Sequence, residues 1–216
     1  MDDVFSNFDL VLKAFLLTIE LFVVSGVLSL LIGTALAAMR VGPVAVLSRA
    51  GALYVTLMRN TPLLIVFVFA TFGLPKLDVQ LPFFVKGTIA LTLYTSAFVC
   101  EAVRSGINSV PLGQVEAARA TGLTFTQTMS QVVLPQALRA VIPPLASTMI
   151  ALLKNTSVGA VFGLFEATAR MRYFSNNNAS DRPMIFLTFA LGYVILVELV
   201  SAGAFGLERR GRVAAR

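Results

Sequence analysis

An all-α integral membrane protein with about five transmembrane helices is the architecture encoded by these 216 residues, 57% of them hydrophobic and only 13% charged. Soluble domains carry about 25% charged and 45–50% apolar residues, and a mean hydropathy of +0.84 lies well away from that balance. The apolar residues also gather into five runs long enough to cross a hydrocarbon layer about 30 Å thick, which needs roughly 20 residues per helix. The same composition excludes other classes. Disordered chains lack this apolar content. Cys100 is the lone cysteine and has no internal disulfide partner. Zero histidines leave no zinc-type metal site and no serine–histidine or cysteine–histidine catalytic set. No catalytic residue and no metal ligand are therefore expected.

The first run is Ala14–Met39, with Glu20 as its sole charge. Within it Ser25, Ser29, Gly33 and Ala37 recur every fourth residue, a stripe of small side chains along which a second helix can approach closely. The second run, about Ala50–Pro75, is interrupted by Arg59 and Pro62. A third covers about Gly87–Val103, with Glu101 near its end. The fourth, about Ala140–Phe165, contains Pro143, Pro144 and Lys154. The fifth is Pro183–Leu207 and holds Glu198. A cleaved signal peptide is not expected, because Met1-Asp2-Asp3 is acidic where such a segment is basic.

Basic residues mark the cytoplasmic side of a membrane protein. With the N-terminus outside and five crossings, the inner connections hold ten arginines against Glu116 and Glu208, a net of +8. The ten include Arg40, Arg49, Arg104, Arg139, Arg210, Arg212 and Arg216. The outer segments, which include Asp2 and Asp3, balance to zero. The pI of about 10.0 then reads as topology and not as nucleic-acid binding. The pattern reads as one transmembrane domain, residues 1–216.

A stretch of about 36 residues, Arg104–Arg139, separates the third and fourth runs, too long for an ordinary helix–helix turn. Ser109-Val110-Pro111-Leu112-Gly113 opens a helix reading Gln114-Val115-Glu116-Ala117-Ala118-Arg119-Ala120, and Gly122 supplies a stop. Thr124-Phe125-Thr126-Gln127 matches a capping box. The helix it starts carries Met129, Val132 and Val133 and is expected to stop before Pro135. Two short helices around a glycine elbow fit either a groove on a partner protein or a hairpin lying on lipid headgroups.

The residues at this point resemble a known family. Glu116-Ala117-Ala118, three residues, Gly122, nine residues and Val132-Val133-Leu134-Pro135 are similar to the EAA motif of bacterial ABC importer permeases, with Val132 where that family usually has isoleucine. Arg59-Asn60-Thr61-Pro62, Glu101 through Ile107, Pro135 through Arg139 and Lys154-Asn155-Thr156-Ser157 resemble its polar amino-acid uptake branch, and Met39 through Val44 looks most like actinobacterial glutamate-type permeases. The resemblance implies a type I ABC importer permease fold with a cytoplasmic coupling loop over about 104–139. It implies contact with a separate ATPase through Glu116, Ala117, Ala118, Arg119, Gly122, Leu134 and Pro135. The partners implied are a dimer of ATP-binding subunits, a second permease subunit (identical or paralogous), an extracytoplasmic substrate-binding protein and the lipid bilayer. ATP and Mg would sit on the ATPase, since this chain has no Gly-x-x-x-x-Gly-Lys-Ser/Thr phosphate loop. The cargo implied is a polar amino acid, glutamate first. Family members often have aspartate where Asn155 stands.

Charges inside a bilayer are costly and face a cavity or a partner. Arg59, with Asn60 and Thr61, and Glu101 and Lys154, with Asn155 and Thr156, are accordingly candidates for bordering a substrate pathway. The competing roles are helix-end side chains reaching the headgroups and structural ion pairs. The longest outer connection, Phe165–Met184, either meets the binding protein or is a solvated loop. An ion-coupled secondary carrier or channel without an ATPase is the alternative function. It predicts inverted repeats, and no internal repeat is evident.

Overall fold

The computed structural model describes residues 6–213, with side chains described through Arg209. Met1, Asp2, Asp3 and Arg216 of the charge reading lie outside the described residues, and nothing is drawn from the side chains of Arg210 and Arg212. The described chain is helical, in the order α1 (Phe8–Val41), α2 (Ala45–Asn60), α3 (Leu63–Lys76), α4 (Phe83–Asn108), α5 (Leu112–Ala120), α6 (Phe125–Phe162), α7 (Ala167–Asn177) and α8 (Arg182–Val213). Four helices are long and apolar enough to span a membrane, and α2 with α3 makes a fifth if that bent pair is one span. This is a multi-pass membrane protein, as its composition predicts.

Three sequence boundaries need correction. The second run is not one straight helix. It breaks at Thr61–Pro62, where α2 and α3 meet at 101°. A residue before proline is driven from helical to extended backbone, and Thr61 (φ −96°, ψ 128°) and Pro62 (φ −59°, ψ 135°) are both extended. The first run is longer than Ala14–Met39, starting at Phe8. The expected stop before Pro135 is absent: the capping box at Thr124 opens one helical run from Phe125 to Phe162.

A widened turn lets that run pass its proline. Leu134 N–H donates five residues back to the Met129 carbonyl, in a π-turn over Met129–Val133. In a regular helix the proline ring would meet the carbonyl four residues back, and the wider turn moves that carbonyl aside. The device occurs twice, since Phe69–Gly73 forms the same turn ahead of Leu74-Pro75. Further along α6, Pro143 and Pro144 are tolerated within the helix, and the hydroxyls of Ser147 and Thr148 donate to the carbonyls of Pro143 (3.2 Å) and Pro144 (2.8 Å).

α1 and α4 form the central pair, and α6 packs on α4. The stripe Ser25, Ser29, Gly33, Ala37 is buried along its whole length. A Cβ on Gly33 would lie 2.5 Å from the Val99 Cβ and 2.7 Å from the Ser96 carbonyl oxygen, so the two backbones approach as closely as glycine permits. Such contact matters because hydrocarbon gives no solvent drive to helix association and van der Waals packing supplies it. The core joins Leu21, Phe67, Leu91, Leu152 and Phe162 from α1, α3, α4 and α6, with Phe67 and Phe162 stacked at 5.2 Å. A second cluster (Val11, Phe174, Ile185, Phe189) fixes α7 and α8 against the start of α1.

Candidate functional site

The segment between α4 and α6 is built to hold its shape. α5 ends with Leu123 N–H donating to the Ala118 carbonyl (3.2 Å) and Gly122 N–H to the Arg119 carbonyl (3.0 Å). These are the two bonds of a Schellman motif, and the motif requires a left-handed residue, which Gly122 provides at φ +90°. Thr124 then caps α6, accepting from Gln127 N–H while its own N–H reaches the Gln127 side chain. Gln136 on α6 donates to the Gln114 side chain on α5 at 2.6 Å and to the Val132 carbonyl at 2.8 Å. Beneath, Val110, Val133 and Ala137 form a small buried cluster with Val115 and Met129 packed on it.

This arrangement sorts the predicted contact residues. Glu116, Ala117, Arg119 and Gly122 face outward, and Ala118 is buried against the bundle. Leu134 (40% exposed) and the exposed Pro135 begin the straight part of α6 just past the π-turn. α5 is therefore a short, outward-facing helix tied at its side to α6.

At the same end, Glu101 on α4 gathers three arginines from three helices. It accepts from Arg40 of α1 and from Arg104 of α4 (2.8 Å), and Arg59 of α2 stands 3.8 Å away. The Arg59 guanidinium also lies over the Phe98 ring, 5.7 Å from its centre. The structure thus brings Arg59 and Glu101 together. Asn60 is exposed at the end of α2, and the Thr61 hydroxyl is turned back to the Leu57 carbonyl (2.8 Å). Arg40 as the main partner of Glu101 was missed in the sequence, because 61 positions separate them.

Lys154, Asn155 and Thr156 are not brought together. Asn155 fronts a cavity of about 420 Å³ between α4 and α6, with Tyr94, Thr95, Phe98, Ser147 and Thr148. Lys154 points into a different cavity, against α7 and α8. Thr156 is buried, its hydroxyl bonded to the Leu153 carbonyl at 2.7 Å.

Near the opposite end, Glu166 is fully buried as the N-cap of α7. Its carboxylate accepts from the N–H of Thr168 (3.0 Å) and of Ala169 (2.9 Å) and from the Tyr193 hydroxyl (2.7 Å). Burial nonetheless pushes its carboxyl above the usual glutamate range, outweighing those three donors. Glu166 is not among the candidate residues read from the sequence. Its place directly before the helical Ala167-Thr168-Ala169 was the available signal.

A family described as binding-protein-dependent transport system inner membrane component matches residues 29–212. The chain is 43% identical over 197 residues to the glutamate transport system permease protein of Corynebacterium efficiens, covering 86% of each chain. It is 32% identical to the glutamate/aspartate import permease protein of Escherichia coli strain K12, covering 93% of this chain and 87% of that one. The crystal structure of an amino acid ABC transporter with histidines superposes with a TM-score of 0.89 at 26% identity, over 96% of this chain and 97% of that chain. An inward-facing methionine ABC transporter shares the fold at 22% identity and a TM-score of 0.75. The chain belongs to the family of binding-protein-dependent transport system inner membrane components.

Proposed function

We propose that this chain is the membrane-spanning subunit of an ATP-driven importer that carries a polar amino acid, glutamate first, across the bacterial cytoplasmic membrane. One observation carries the coupling part: α5 presents Glu116, Ala117 and Arg119 outward while Gln114, bonded to Gln136, ties it to the base of α6. A load on α5 then passes into a membrane helix and is not lost in a loose loop. Ala117 lets a partner surface approach closely, and Glu116 and Arg119 offer it one charge of each sign. ATP hydrolysis belongs to that partner, a pair of ATP-binding subunits with their own Mg. Relatives named for glutamate support the choice of cargo.

In this reading the arginine-rich end that holds Arg40, Arg59, Arg104 and Arg119 is cytoplasmic, and the N-terminus lies outside. A second permease subunit completes the route, and an extracytoplasmic binding protein delivers cargo to the α7 end. Arg59, Asn60, Thr61, Glu101, Lys154, Asn155 and Thr156 border or brace that route. The test is co-expression with candidate ATP-binding subunits, co-purification, and uptake by reconstituted vesicles. The expected result is ATP-dependent glutamate accumulation that stops when the ATPase is omitted. Gradient-driven accumulation by this chain alone would replace the reading with an ion-coupled carrier.

A further inference from the structure

Lys154 and Glu198 carry opposite charges, sit within membrane-spanning helices and line one cavity of about 490 Å³ between α6, α7 and α8. Both side chains are exposed, and neither makes an ion pair with the other or with any described residue. A charge at the bilayer centre costs about 2.5–3.5 kcal/mol. Two opposite charges left apart around one space are matched by a ligand that brings both complementary charges. The cavity wall is mostly apolar, with one fixed polar part: Tyr193 donates to the buried Glu166 (2.7 Å) and lies 3.0 Å from the Thr168 hydroxyl, and Ser157 and Thr168 also face the space. Phe189 and Val197 supply an apolar side. The volume falls within the usual range for small-molecule sites, about 300–1,000 Å³.

We propose that this cavity binds the zwitterionic backbone of an α-amino acid, with Lys154 holding its carboxylate and Glu198 its ammonium. The proposal rests on the amino-acid cargo inferred above. It assigns a positioning role to Glu198, which the pathway candidates read from the sequence do not include. Both charges of the backbone are common to all amino acids, so the site reads the class and leaves the side chain to be read elsewhere. A zwitterionic lipid headgroup presents the same pair of charges, so the experiment separates the two.

The whole complex, with its ATP-binding and partner permease subunits, is placed in lipid discs of phosphatidylglycerol alone, without binding protein. L-glutamate and N-acetyl-L-glutamate, which lacks the ammonium, are titrated, with L-glutamine and N-acetyl-L-glutamine alongside. The free amino acids are expected to bind about tenfold to a hundredfold tighter than their acetylated forms, as for one charge-assisted hydrogen bond. Glu198→Gln should erase that ratio and leave the acetylated ligands unchanged, and Lys154→Met should weaken all four. A ratio that survives Glu198→Gln overturns the proposal, as does the absence of amino-acid binding. Amino-acid binding abolished by added phosphatidylethanolamine assigns the cavity to lipid and overturns it as well. ATP-driven uptake by the same Glu198→Gln complex in vesicles reads the proposed function separately: uptake with an unchanged ratio rejects only this site.

Discussion

Replacing Gly122 by alanine isolates the backbone of the turn from everything around it. A Cβ built there meets nothing within 4 Å, so steric clash contributes nothing. What remains is the φ of +90°, which disfavours any residue with a Cβ by about 1–2 kcal/mol. That shifts the turn equilibrium about fivefold to thirtyfold away from the observed shape. Asparagine tolerates the left-handed region better than alanine and should fall between glycine and alanine. Proline cannot reach positive φ and removes the N–H that donates to the Arg119 carbonyl, a loss of about 3 kcal/mol or more. The assay is substrate-stimulated ATP hydrolysis by the reconstituted complex, with the unfolding temperature of the membrane subunit measured in parallel. Coupling should decline in the order Gly, Asn, Ala, Pro, while the unfolding temperature for Gly122→Ala should fall by only a few degrees, the backbone penalty alone, because no packing is lost. Normal transport by Gly122→Pro would refute the assignment of this turn to force transfer.

Glu101→Gln leaves three arginines around an uncharged amide and should destabilise the bundle by about 1.5–3 kcal/mol, the worth of a hydrogen bond to a charged group, read as a lower midpoint in detergent melting. Gly33→Leu drives a side chain into Val99 and should lower that midpoint, whereas Gly113→Ala, with open space around it, should not. A double-mutant cycle of Gln114→Leu and Gln136→Leu should return a coupling of about 0.5–1.5 kcal/mol. Glu166 has its folded value raised by burial, so the native state holds its proton longer than the unfolded chain does. Its contribution therefore favours folding below the unfolded value of about 4.3 and is lost as pH rises from there through the raised folded value. Glu166→Gln should flatten that slope in pH-dependent melting.

The membrane class, the helix content and the small-residue stripe are legible in the sequence because each depends on local pattern. Ser25, Ser29, Gly33 and Ala37 announce a close contact by spacing alone, although the partner, α4, is not written beside them. The capping box at Thr124 and the stop at Gly122 were also readable, being chemistry within four residues. Helix continuity across Pro135 was not, because a π-turn relocates one carbonyl and leaves no residue signature that periodicity detects. The 101° bend was hidden for a related reason: Pro62 marks a break, but its angle is set by the packing of Leu63, Val66 and Phe67 on the core. Among the candidate site residues, Glu116 and Arg119 were singled out by motif, and both face outward. The tie from Gln114 to Gln136 was not, since it joins side chains 22 positions apart. Lys154 and Asn155 were read as one group, yet a helix turns about 100° per residue and sends them into separate cavities.

The unbroken run of α6 has a geometric corollary. Its 38 residues, at about 1.5 Å each, make a rod of roughly 57 Å, nearly twice the hydrocarbon thickness. On such a rod one degree of rotation about the foot displaces the far tip by about 1 Å. Rocking by ten degrees at Leu134, about 42 Å from the far end, would swing Phe162 by about 7 Å, which in the proposed importer would gear a modest movement on one face of the membrane into the opening or sealing of a passage on the other.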